Sequence, residues 1–219
     1  MQTVKRVVRV SALAFLILCV AMTTAHAAEG KSGDVVEAKS FYVGVFGGYS
    51  FPDNVRNGPE LQNGWSGGVK AGWVLPPLSY DRWFNWELEY WYQNINSKQQ
   101  NSLSGAYGHV HTFASNFIFR RPTGVFRPYA GVGPSIVFVD VNGPPATVNN
   151  LLGGTDGNTS AVAFGANFLV GTRIMFGNTL GVFAEYKRNW AIFDGGRSDL
   201  HTNAGVGGFV WDFDNLWLP

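Results

Sequence analysis

Cysteine is almost absent: Cys19 stands alone in 219 residues. It lies in an N-terminal stretch that is read below as cleaved, so the exported chain is expected to have neither a disulfide nor thiol chemistry. Charge is sparse as well, at 14% of residues, and the formal net charge is +1. That balance leaves no basic surface for a nucleic acid. After Met22 there is no long apolar run, which excludes a bundle of membrane-spanning helices.

The N-terminus carries Lys5, Arg6 and Arg9, then the apolar run Ala12 to Met22, then Ala25-His26-Ala27. A basic start, a short apolar core and an A-x-A site predict a secretory signal peptide over residues 1–27, with Ala28 as the first residue after cleavage. The run is too short and too polar at its end for a membrane anchor. Leu18 before Cys19 does not fit a lipoprotein cleavage site. The signal takes three of the 16 basic residues and none of the 15 acidic ones, which leaves 13 against 15 and a formal charge of −2. One domain is expected in the remaining 192 residues, the full 219 less the 27 of the signal.

What the chain does have is glycine, 28 residues, and aromatics, at 15%. Both sit in alternating patterns. In Trp83 to Gln93, Phe84, Trp86, Leu88, Tyr90 and Tyr92 share one face of a strand, and Asn85, Glu87, Glu89, Trp91 and Gln93 share the other. Seven more strands are predicted: Phe41 to Ser50, Gly64 to Leu75, Tyr107 to Arg120, Tyr129 to Val139, Ala161 to Met175, Leu180 to Asn189 and Leu200 to Phe213. Residues 28–40 and 214–219 read as a flexible N-terminal segment and a C-terminal tail. The connections alternate long and short, and Phe51 to Asn63, Asn94 to Ala106 and Val141 to Thr159 are the longest. That alternation predicts an all-β fold, an eight-stranded antiparallel up-and-down transmembrane barrel over residues 41–213 with short periplasmic turns and long outer loops.

The alternative is a secreted soluble barrel with its apolar face inward around a ligand. Eight strands enclose little more than their own side chains, and roughly forty mostly large residues would not fit. The apolar face is therefore assigned to lipid. The other face, with Gly44, Gly48, Ser66, Gly68, Gly72, Gly131, Gly133, Gly165, Gly171 and Gly208, is assigned to a filled lumen. Lys70, Glu87, Glu89, Arg173, Glu185 and Lys187 then become lumen charges, three of each sign. With hairpins centred between Leu78 and Ser79 and on Thr179, Lys70 is expected opposite Glu87, and Arg173 opposite Glu185. These are read as structural ion pairs, with no catalytic, cofactor-binding or metal site.

Phe41-Tyr42-Val43-Gly44, PYAGVGPSI from Pro128, FAEYKRNW from Phe183 and GVGGFVWDF from Gly205 resemble the opacity-protein and OmpA-type outer-membrane β-barrels. The resemblance covers nearly the whole chain after the signal. It implies a Gram-negative outer-membrane location, a lumenal Glu185 and delivery by the barrel-assembly machinery. The chain departs from that family by continuing past Phe213 with DNLWLP, where a terminal aromatic normally serves as the assembly signal.

Three histidines remain after processing. His109 and His111 share a face near the outer end of the fourth strand, and His201 lies near the outer end of the eighth, so they read as polar rim residues rather than a zinc site. His201-Thr202-Asn203 looks like the His-x-Ser-Asn segment of outer-membrane lipid A deacylases. Neighbouring strand residues point to opposite faces, however, so Thr202 cannot partner His201 as nucleophile and base. Asn158 fits a glycosylation sequon, which a bacterial signal makes a chance match. The expected role is non-enzymatic: structural, or adhesion-like through the long loops. Its expected partners are outer-membrane lipid and lipopolysaccharide, the assembly machinery and a host or surface ligand, with no nucleic acid.

Overall fold

The computed structural model describes residues 41–53, 61–75, 83–97, 107–142, 158–177, 179–193 and 199–213. The predicted signal, the segment 28–40, the tail 214–219 and most of the long connections lie outside these residues. Eight strands make up the wall: β1 (Phe41–Pro52), β2 (Gly64–Val74), β3 (Phe84–Ser97), β4 (Tyr107–Arg120), β5 (Phe126–Asn142), β6 (Asn158–Phe176), β7 (Leu180–Phe193) and β8 (Asp199–Phe213). A two-residue piece, Leu61–Gln62, continues the β2 side of the wall against Ser97 and Asn96. Each strand pairs antiparallel with the next, and β1 pairs with β8, so the sheet closes without an edge.

Closure has a definite pitch. From Phe41 the pairing leads through Trp73, Trp86, Phe117, Val132, Phe168, Arg188 and Asn203 back to Phe51, ten residues further along β1. With strands about 4.8 Å apart and a rise of about 3.3 Å per residue, this stagger gives a tilt of about 40° and a radius of about 8 Å. A bore that narrow has to be filled by side chains.

Most strands run further than the alternation indicated. β5 continues to Asn142 and β6 starts at Asn158, so Val141 and Asn142 pair with Thr159 and Asn158 where a loop was expected. β1 reaches Pro52, β3 reaches Ser97 and β7 reaches Phe193. A transmembrane strand needs about 9–11 residues, so the 17 and 19 residues of β5 and β6 rise beyond the apolar band. There Asn94, Asp140, Asn142, Asn158 and Ser160 interrupt the apolar alternation and the period-two signal fades.

Inward glycines act as sockets for lumenal rings. A Cβ on Gly72 would sit 2.3 Å from the Tyr42 ring, one on Gly68 2.5 Å from Phe46, and one on Gly171 2.8 Å from Tyr129. The bore therefore holds aromatics, among them Trp91, Tyr42, Phe46, Tyr129 and Phe183, all buried. Outside, Val45, Trp65, Val69, Phe117, Val132, Phe164, Val170 and Phe209 are exposed. Apolar exposure on this scale far exceeds what a soluble monomer carries, and it rules out the inward-apolar, ligand-binding arrangement. Leu88 shares the outward face by alternation yet is only 5% exposed.

Gly72→Leu is expected to displace the Tyr42 ring and prevent closure. The heat-modifiable gel shift of a folded barrel should be lost in that variant and kept in Gly205→Ala, where the added atom meets nothing.

Candidate functional site

Every charge assigned to the lumen from sequence lies on the inner face. Lys70, Glu87, Glu89, Arg173, Glu185 and Lys187 are at most 4% exposed. Their cross-strand neighbours differ from the expected ones. Lys70 stands opposite Glu89, and Glu87 opposite Gly72. Glu185 stands opposite Gly171, and Arg173 opposite Phe183. Both registers are displaced by two residues. For the second, the cause is visible: the loop is Gly177 to Thr179, with Phe176 paired to Leu180, so its centre is Asn178. Gly177 takes φ +77°, a left-handed conformation that closes such a short loop. A shift of two preserves the face, so the charges remain inside: Lys70 still reaches Glu87, now as a diagonal neighbour, while Arg173 meets other partners than Glu185.

Most of those partners cross the bore. Lys70 Nζ donates to Glu185 Oε2 at 2.8 Å and lies 3.7 Å from Glu87 Oε2. Lys187 Nζ pairs with both Glu185 and Glu89. Arg173 is 3.5 Å from Glu87 and 3.7 Å from Asp212. Glu89, Lys187, Glu185, Lys70, Glu87, Arg173 and Asp212 thus form one chain of alternating sign. Buried ions without a partner are costly, and this alternation offsets their desolvation.

Five members of the network are not evident from the alternation of the charged strands alone. Tyr42 donates its hydroxyl to Glu87 Oε2 and Tyr129 to Glu185 Oε2, each at 2.8 Å. Arg173 also lies 4.0 Å from the Tyr42 ring centroid, a favourable stacking for a guanidinium. At the short-turn end Arg127 donates to Asp212 at 3.2 Å, and Arg120 donates to Asn85 Oδ1 at 3.2 Å. Asp212 was legible in principle, since Ala204, Val206, Val210 and Asp212 share the inner parity of β8.

Above the charges comes a neutral layer. Asn167 donates to Asn116 at 3.0 Å, Asn189 to Ser135 at 2.8 Å and Gln93 to Ser50 at 2.8 Å. Ile95, Val110, Val137, Val139, Ala163, Ala191 and Leu200 then form an apolar cluster toward the long-loop end. Side chains therefore fill the bore from the charged level to the mouth.

The histidines are on the outer face. Tyr90 and Tyr92 hydroxyls lie 2.8 and 2.5 Å from Nδ1 of His111 and His109. His201 is on β8, beside Trp190 of β7, so the three do not converge. Thr202 is buried, 3% exposed, with its side chain on the opposite face from His201. Among the described residues no group of three His, Cys, Asp or Glu is placed to hold a metal.

The sequence model of the outer membrane protein beta-barrel domain matches residues 12–213. The chain belongs to this family. Its place is therefore the bacterial outer membrane. This outer-membrane barrel is similar in fold to the Neisserial surface protein A, NspA, at 15% identity and a TM-score of 0.58, over 79% of this chain and 97% of that one. It is also similar to Ail, the attachment invasion locus protein of Yersinia pestis, solved with the heparin analogue sucrose octasulfate. There the identity is 11% and the TM-score 0.50, over 81% of this chain and all of that one. No curated protein sequence matches this chain.

Glu185→Gln would leave Lys70 and Lys187 without their shared carboxylate. Urea unfolding of the barrel in lipid vesicles should show a loss of about 3–5 kcal/mol. A change below about 1 kcal/mol would mean that water, not Glu185, balances these lysines.

Proposed function

We propose that this barrel is a non-enzymatic surface protein: a rigid wall that presents its long connections outside the cell. The filled bore carries the proposal. The buried charges are matched to one another inside it, so within the bore no acid, base or nucleophile is left open to a substrate. The ion pairs are structural on this reading. Function then falls to the connections at one end, which are free to vary because neither lipid nor lumen constrains them.

Lipid and lipopolysaccharide are the partners of the wall, the barrel-assembly machinery inserts it, and a host or surface ligand is met by the connections. Residues 54–60, 98–106, 143–157 and 194–198 carry Arg56, Lys98 and Arg197 against Glu60, Asp156 and Asp194. Three cations against three anions give little attraction for a highly sulfated ligand such as the sucrose octasulfate seen with Ail. A polar ligand of low charge density fits this balance better.

Added protease on intact cells should cleave within residues 143–157, and purified barrel in a planar bilayer should give no stable single-channel steps. A fully protected protein on intact cells, or large steps, contradicts the proposal. Exchanging residues 143–157 for a Gly-Ser stretch should abolish adherence of expressing cells to a matrix-coated surface and leave the folded fraction unchanged.

A further inference from the structure

Glycines on the two faces of the wall meet different constraints. Inward, a Cβ on Gly48 would lie 2.1 Å from a backbone oxygen, and one on Gly208 2.0 Å. Outward, a Cβ on Gly205 would meet no atom within 4 Å, one on Gly47 only Ser66 O at 3.8 Å, and one on Gly207 only Phe183 O at 3.5 Å. No described side chain folds over these three positions. Glycine weakens a strand interior and commonly marks the close approach of a ligand or another backbone. Packing within the barrel supplies no reason for them.

Pairing gathers the three into one place. Gly47 stands between Gly67 and Gly207, and Gly205, two residues along β8 from Gly207, stands between Tyr49 and Tyr186. The result is a bare, shallow depression in the wall. Tyr49, Trp65 and Phe209 border it, each more than half exposed.

Arg188 lies beside its upper edge, two residues along β7 from Tyr186. Among the described strand residues it is the one lysine or arginine on the outward face. Its Nη2 donates to Asp53 at 3.2 Å, and Asn203 Nδ2 holds the other Asp53 oxygen at 2.9 Å. Its Nε is screened from solvent and has no hydrogen-bond partner. A guanidinium has five N–H donors; with Nε screened, one Nη2 N–H on Asp53 and the Trp190 ring centroid 5.1 Å from the guanidinium carbon, the remaining Nη N–H groups are left for a second anion. An ionised group at the edge of hydrocarbon is costly unless paired or functional.

We propose that the depression seats an acyl chain of a phosphorylated outer-leaflet glycolipid, with a phosphate oxygen on the free edge of Arg188. This rests on the reading that the wall meets lipopolysaccharide, and it adds the site. The outer leaflet is favoured because Arg188 lies toward the long connections. The bare floor lets a chain lie against the backbone, and a planar fork suits phosphate.

Native mass spectrometry of the full barrel tests the site, with bisphosphorylated lipid A, its dephosphorylated form and phosphatidylglycerol as probes. One lipid A should be retained per barrel, in preference to the dephosphorylated form by about tenfold. Arg188→Gln should erase that preference, while Asp53→Asn, which frees the guanidinium, should keep or raise it. Gly205→Leu with Gly207→Leu should reduce retention of both glycolipids. The gel shift confirms that each variant is folded. Equal retention of phosphatidylglycerol, or Arg188→Gln behaving as the unsubstituted barrel, overturns the site. A protease-sensitive, non-conducting barrel that retains no lipid A overturns the site alone and leaves the surface role standing.

Discussion

Glu185 is the point on which the interior depends. Its carboxylate lies between the ammonium groups of Lys70 and Lys187 and also accepts from Tyr129. Two lysines can be held inside a bore of this width only because a carboxylate meets both. Each of them also reaches another acid, Glu87 or Glu89. From there the alternation continues to Arg173 and Asp212. Removing one ion therefore does more than break a contact, because it leaves its neighbours charged in a place water does not reach.

The two faces of the wall were legible in the sequence because a period of two survives a shift of register by two. Asn85, Glu87, Glu89, Trp91 and Gln93 all lie inside, as their shared parity requires. Register was not legible to that precision. It is set by where a short loop has its centre, and Thr179 and Asn178 are equally plausible from composition. Most of the ion pairs were hidden for a second reason: Lys70–Glu185, Lys187–Glu89, Arg173–Glu87 and Arg173–Asp212 join strands that are not neighbours, and a hairpin argument sees only neighbours. The strand ends beyond the predicted bounds were missed because polar residues such as Asn94, Asn142, Asn158 and Ser160 interrupt the alternation there.

Glycine does two jobs here, and only spatial context separates them. Gly68, Gly72 and Gly171 are small because Phe46, Tyr42 and Tyr129 occupy the space above them. Gly47, Gly205 and Gly207 are small with nothing above them. In GVGGF at 205–209, alternation puts Gly205 and Gly207 on one face and Gly208 on the other, but composition alone does not say which of them has atoms packed above it. The outer wall is thus uneven in its chemistry as well as its relief, with one bare area and one cation on the same strands.

The charge chain links β3 to β7, β7 to β2 and β6 to β3, so its members meet across the bore. This bears on the order of assembly. A sheet that has formed its hairpins but not its β1–β8 seam is an open, curved surface on which Lys70 and Glu185 are far apart and wet. The cross-bore pairs, Lys70–Glu185, Lys187–Glu89 and Arg173–Glu87, form only as the last seam draws the two ends together. Closure and the cross-bore part of the neutralisation are one event, so a half-zipped barrel, with only pairs such as Lys70–Glu87 and Lys187–Glu185 within reach, gains only part of the electrostatic stabilisation of the finished one.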